Sequence, residues 1–177
     1  LHDSGVKKVI TGCLNCHKLL SEHLRDMEVI FILEVLPTEV FRKQNAEEIY
    51  LHHPCPSSRW ENIPAAARKV AGHMYPAAQI NHEMEKSEPL CCGLGGGLNS
   101  VSSEMADRFL DHIVRKAKNK TVVTYCAGCQ NRFLQRGIKA VHLLECLPKE
   151  EPRQTVPSPV RQWINRFVLA TSARLMT

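Results

Sequence analysis

Eight cysteines stand in a chain of 177 residues, and their spacing is not that of scattered core thiols. Cys91 and Cys92 are adjacent and run into the glycine-rich stretch "GLGGGL". Cys126 and Cys129 form a C-x-x-C pair, as do Cys13 and Cys16, and Cys55 lies in "HHPCPSSR". Thirty-five residues separate Cys55 from Cys91, and thirty-three separate Cys92 from Cys126. Thiolates are soft ligands that favour zinc, copper(I) and iron–sulfur clusters. A C-x-x-C pair at the start of a helix lets both sulfurs reach one centre, while the free N–H groups and positive end of the helix face it. That environment suits an anionic group. Glycines after Cys92 let the backbone come close, so that N–H groups at Gly93 and Gly95 can donate to sulfur. Adjacent cysteines close on one tetrahedral ion only with strain, but can bind two metal atoms of a larger cluster. Cys55, Cys91, Cys92, Cys126 and Cys129 together exceed the four ligands that structural zinc takes. The count favours iron and sulfide.

Two other chemistries use some of the same residues. A structural zinc module would leave at least one of the five cysteines idle. A metal-free thiol oxidoreductase would use a C-x-x-C pair with a thiol pKa lowered at a helix N-terminus, leaving Cys55 and the Cys91–Cys92 pair without a role. His52 and His53 precede Cys55. A histidine there either donates to a cluster sulfur or lies at a strand end facing solvent, and His53 is the candidate for the first role. Arg59 and Trp60 are candidates for lining an opening. The glycine stretch lacks the third glycine of a dinucleotide fingerprint and the lysine of a phosphate-binding loop.

The elements that must position these residues follow from hydrophobic pattern. Val/Ile-rich runs at 6–12, 28–34, 47–53, 120–125 and 139–143 read as strands. Segments 14–25, 38–45, 62–73, 101–118 and 128–136 read as helices. On 101–118, Val101, Met105, Phe109, Ile113 and Ala117 are expected to line one apolar face. Alternating strands and helices imply an α/β fold, a Rossmann-like parallel sheet with helices on both faces. In such sheets sites form at the carboxyl ends of strands, and Cys55, Cys126 and Cys129 each follow a predicted strand.

The chain also matches itself. "KKVITGCLNCHKLL" with "EVIFILEVLP" resembles "KTVVTYCAGCQNRFL" with "KAVHLLECLP". Cys13 and Cys16 fall on Cys126 and Cys129, and Glu34 falls on Glu145 after a two-residue gap. Cys146 falls opposite Val35, which predicts a small buried hydrophobe. If both copies were once complete, the first lacks its upstream part here. The expected organisation is therefore the C-terminal part of a first unit at 1–45, a complete second unit at 46–148, and a linker with an amphipathic helix at 149–177. Ser158–Pro159 carries the signature of a helix start. Val160, Trp163, Ile164, Phe167 and Val168 form an apolar stripe beyond it, read either as a surface docking on protein or as a peripheral membrane contact.

The net charge is +5, and residues 149–177 hold five Lys/Arg against two Glu. What remains is too weakly basic for a nucleic-acid surface. Apolar runs fall short of a membrane span. Clustered cysteines without a secretory signal argue for metal in a reducing compartment.

The order Cys55, Cys91–Cys92–Gly93, Cys126-x-x-Cys129 resembles the cysteine-rich CCG domain. That domain occurs in the B subunit of heterodisulfide reductase and in related iron–sulfur subunits of organic-acid oxidoreductases, usually as two tandem units. The resemblance covers about residues 6–147. It implies that the five cysteines hold a [4Fe-4S]-type cluster, cubane or non-cubane, used for electron transfer and, in one branch, for reducing a disulfide. It implies partner redox subunits carrying iron–sulfur or flavin groups, and a cytoplasmic protein that in some members sits at the inner face of the membrane. Cys13 and Cys16 would be the closing pair of the first unit, a remnant site.

Overall fold

The computed structural model describes residues 5–82, 91–148, 158–161 and 163–164. It contains strands β1 (Lys8–Thr11), β2 (Glu28–Phe31), β3 (Glu48–His52), β4 (Gln79–His82), β5 (Thr121–Thr124) and β6 (Ala140–His142). The α-helices are α1 (Leu14–His23), α2 (Ile32–Val35), α3 (Asn62–Met74), α4 (Leu98–Val101), α5 (Ser103–Ala117) and α6 (Ala127–Gln135). β3–β6 form one parallel sheet in the order β4-β3-β5-β6, and β1 pairs with β2, also in parallel. The fold is Rossmann-like α/β.

Helices cover both faces of the larger sheet, because its strands are apolar on both. Ile49, Leu51, Val123 and Val141 pack against Ile63, Ala67, Val70 and Met74 of α3, together with Leu14 and Phe31 from the β1–β2 half. Tyr50, Val122 and Ala140 pack against Leu110, Ile113 and Ala117 of α5 and Phe133 of α6. Central strands buried on both sides read as short continuous apolar runs, which is why β3 and β5 are visible in the sequence. β4 is not: "QINH" has one large apolar residue, and among the described residues the strand lies at the sheet edge, paired with β3 alone.

The two halves that resemble each other in sequence also fold alike. β1–α1–β2–α2 runs in the same order as β5–α6–β6 and the 3-10 turn Leu143–Cys146. Cys13 and Cys126 each occupy the N-cap of the following helix, with φ/ψ of −126°/123° and −131°/117°. Cys146 is fully buried, as its alignment predicts.

Three expectations need correction. The helix expected at 38–45 is only a 3-10 turn at Thr38–Val40. The strand expected at 28–34 stops at Phe31, whose N–H donates to the Glu34 carboxylate at 2.9 Å and starts α2 instead. On α5 the buried residues are Ala106, Leu110, Ile113 and Ala117, whereas Val101 at the end of α4 is 86% exposed and Met105 and Phe109 of α5 are 51% and 46% exposed. A strict i, i+4 row advances about 40° per step past a full turn at 3.6 residues per turn. On α5 the predicted row therefore winds from the solvent side at Met105 to the core at Ala117. Ser102, extended at φ −151°, also breaks the helix and caps α5 by accepting the Met105 N–H at 3.2 Å.

Ser158 accepts the Arg161 N–H at 3.3 Å, as a helix N-cap does, and Val160, Trp163 and Ile164 are exposed there. The linker, Phe167 and Val168 lie outside the described residues. Among the described residues no helix is long and apolar enough to cross a membrane.

Leu110→Ala should cost about 2–5 kcal/mol, the range for emptying a core position. Phe109→Ser should stay within about 0.5 kcal/mol, as surface changes do. Urea denaturation of both variants checks the assignment of faces on α5.

Candidate metal centre

β3 and β5 are hydrogen-bonded neighbours in parallel, with His52 opposite Thr124. Their carboxyl ends therefore release the chain side by side. After β3 the backbone turns at Pro54 into a 3-10 segment, Cys55–Arg59. After β5 it reaches Tyr125 and enters α6 through the N-cap Cys126. The Cys91–Cys92 loop arrives at the same edge. There Gly93, at φ +80°, lies so close to α5 that an added Cβ would sit 2.2 Å from the Ala106 carbonyl oxygen. Only glycine fits both that conformation and that approach.

The five candidate ligands meet. The Cys55 thiol hydrogen-bonds Cys91, Cys129 Sγ lies 3.2 Å from Cys92 Sγ, and Cys126 hydrogen-bonds Cys129. Among the described residues, no three ligand-type side chains converge as they would around one ion. The sulfurs are instead linked pair by pair.

Donors and acceptors alternate along these links. Cys91 is pushed down to about 6 by the hydrogen bond from Cys55 and by the N–H groups of Gly93 and Gly95. The first of these N–H groups is 3.3 Å from the sulfur. Cys126 is pushed down to about 6 by the hydrogen bond from Cys129 and by the N–H groups of Cys129 and Gly128. Cys92 is lowered by Cys129 and by the Leu94 N–H, despite burial. Cys55 and Cys129 are raised, chiefly by donating these bonds and then by burial. The three lowered sulfurs thus face two thiols, Cys55 and Cys129, and backbone N–H groups, with the single Cys129 hydrogen shared between Cys92 and Cys126.

Gly95 leaves room beside the sulfurs. A Cβ there would stand 3.6 Å from Cys55 Sγ and 3.8 Å from Cys91 Sγ. Space against sulfur, soft donors and N–H groups aimed at thiolates together fit an iron–sulfur cluster.

The histidines do not face solvent: His52 and His53 are both buried. His52 is pushed down to about 3 by burial and packs edge-on against Phe133. His53 Nδ1 meets the Tyr125 hydroxyl at 2.8 Å. Arg59 forms a 3.8 Å ion pair with Glu22, and Trp60 packs on His17. Cys13 and Cys16 are exposed, hydrogen-bond each other and are not among the five linked sulfurs. Sequence reasoning overlooked Tyr125 and Ser57, which join the two ligand turns. The internal repeat carried a signal for the first, since Tyr125 falls where the other copy has Gly12.

Residues 49–133 match the family model of the cysteine-rich CCG domain. The chain is also 27% identical over 157 residues to the B subunit of the fumarate reductase (CoM/CoB) of Methanothermobacter marburgensis. That alignment takes in 82% of this chain and 29% of the relative, so the chain spans under a third of the relative's length.

Two experiments probe the site without a partner. In the metal-free chain, lowered pKa values mean that the Cys91 and Cys126 thiolates form as pH rises through about 6. Alkylation of Cys91 and Cys126, followed by mass spectrometry, should therefore reach half its maximal rate there. A rate that climbs only near the ordinary thiol value would contradict the network. Gly95→Ala should leave the apo melting temperature unchanged but weaken iron retention about tenfold. Gly93→Ala should destabilise even the apo chain, by about 1–3 kcal/mol or more.

Proposed function

With residues 49–133 a cysteine-rich CCG domain, we propose that this chain is an iron–sulfur redox subunit. Cys55, Cys91, Cys92, Cys126 and Cys129 hold its [4Fe-4S]-type cluster. The observation that carries the reading is the meeting of five thiols from three chain segments at one sheet edge, with backbone N–H groups already directed at three of them.

When bound, such a cluster supplies one-electron transfer at a potential set by its surroundings. The chain's own residues do the rest. Cys91 and Cys126, held at about 6, present thiolates near neutral pH, so loading displaces few protons from them, and Cys92 is lowered in the same direction. Cys55 and Cys129 give up theirs on binding. The N–H groups of Gly93, Leu94, Gly95, Gly128 and Cys129 lower the negative charge felt at sulfur, which raises the potential. Cys92 and Cys129 are buried, which keeps water from one side of the site, and the exposed Leu94–Gly97 loop leaves the other side open.

Electrons reach the site from a partner that carries an iron–sulfur or flavin group, a reading supported by the relative being one part of a multi-subunit reductase. In its finer form, the chemistry is reduction of a disulfide, with two electrons and two protons giving two thiols. The organisation as one partial and one complete CCG-type unit, with boundaries near 45 and 148, belongs to the same proposal, as does a cytoplasmic location. Peripheral contact with the membrane's inner face through the C-terminal helix completes it.

The test is iron, acid-labile sulfide and zinc per chain after anaerobic purification and reconstitution, with EPR of the oxidised and reduced forms. Iron and sulfide near four each are expected, with a paramagnetic signal in one redox state. One zinc without sulfide would replace this reading with a structural module. Neither metal, together with dithiol activity needing only Cys126 and Cys129, would replace it with thiol exchange.

A further inference from the structure

Between the Cys55 turn and the Cys126 strand end lies a set of buried polar side chains that are not ligand candidates. Tyr125 Oη is 2.8 Å from His53 Nδ1 and 3.0 Å from Ser57 Oγ, and Ser57 Oγ is 2.7 Å from the Pro54 carbonyl oxygen. All three side chains are almost wholly inaccessible: His53 is 2% exposed, Ser57 0% and Tyr125 1%.

The polarity of this chain follows from its far end. A carbonyl oxygen only accepts, so the Ser57 hydroxyl donates to Pro54. The Ser57 oxygen then accepts from the Tyr125 O–H. With its proton committed, Tyr125 accepts from His53, which must carry its hydrogen on Nδ1, a tautomer assigned from the network. Each group has a single orientation.

The chain ties together the two turns that carry sulfur. His53 and Pro54 lead into Cys55, Ser57 lies inside the Cys55–Arg59 segment, and Tyr125 is bonded to Cys126. Packing alone does not require it. Tyr125 meets Phe31 and His53 edge-on, contacts that a phenylalanine ring would keep. Burying a phenol, an imidazole and a hydroxyl is favourable only when all are hydrogen-bonded, so the gain lies in orientation.

We propose that Tyr125 is a positioning residue for the cluster. Its hydroxyl locks the Cys55 turn to the Cys126 strand end, so that their sulfurs keep their spacing when the bound group changes charge. This rests on the iron–sulfur reading. It also predicts behaviour of the metal-free chain, where Tyr125 restrains Cys55.

The experiment compares the full chain with Tyr125→Phe, Ser57→Ala and, as control, Tyr75→Phe. Tyr75 is a second buried tyrosine, beyond the far end of α3. After reconstitution, Tyr125→Phe and Ser57→Ala should bind iron and sulfide as the unaltered chain does. They should release iron to a chelator about tenfold faster, with a shifted midpoint potential, while Tyr75→Phe matches the unaltered chain. In the apo chains, Cys55 alkylation should quicken in the first two variants only. Unchanged release, potential and alkylation in Tyr125→Phe, or equal changes in Tyr75→Phe, overturn the proposal. An unaltered chain that takes up no iron or sulfide sinks the cluster reading instead, and apo alkylation of Cys55 still decides whether Tyr125 holds the turn.

Discussion

The parallel pairing of β3 with β5 is the constraint on which the site depends. Cys55 and Cys126 lie far apart in the chain, and each follows its strand by only a few residues. Once Ile49–His52 is in register with Thr121–Thr124, both turns must emerge at the same edge. A slip of one residue would turn every side chain of the strand to the other face. It would carry His53 and Tyr125 away from each other and put Tyr50 into the core that α3 covers. The apolar faces of Ile49, Leu51, Val122 and Val123 thus fix where the sulfurs emerge, and Val122 shares a core cluster with Cys92 and Cys129.

Within that frame the sulfurs are organised by charge. Five thiolates this close would repel one another, and the metal-free chain relieves this by keeping protons on Cys55 and Cys129. The backbone N–H groups facing Cys91, Cys92 and Cys126 are fixed dipoles that need no reorganisation when metal replaces protons. On the proposed reading, metal entry would exchange the thiol protons of Cys55 and Cys129 for a larger positive charge and leave the surrounding donors where they are.

Much of this was legible in the sequence. The spacing of the cysteines singled out five sulfurs and an adjacent glycine loop, and the Val/Ile runs marked the central strands. The repeat pointed to matching strand–turn–helix units. What escaped notice had physical causes. Among the described residues β4 pairs on one side only, so its sequence carries little apolar signal. The i, i+4 row on α5 is shorter in reach than it looks, because the helix period is not four. His52 and His53 are polar residues whose burial depends on partners distant in sequence. His53 meets Tyr125, seventy-two residues away, and no local pattern encodes that contact.

The matched N-caps of Cys13 and Cys126 separate two kinds of information. Their backbone angles agree to within a few degrees, although Cys13 and Cys16 are open to solvent while Cys129 is buried. The shape of a C-x-x-C turn is thus a locally written feature that forms whether or not its sulfurs are covered. Whether it becomes a binding site is decided elsewhere, by the strand that pairs alongside it and the loop that closes over it. A chain can therefore carry such a turn correctly formed yet open to solvent, and make or lose a centre by changing residues far from any sulfur.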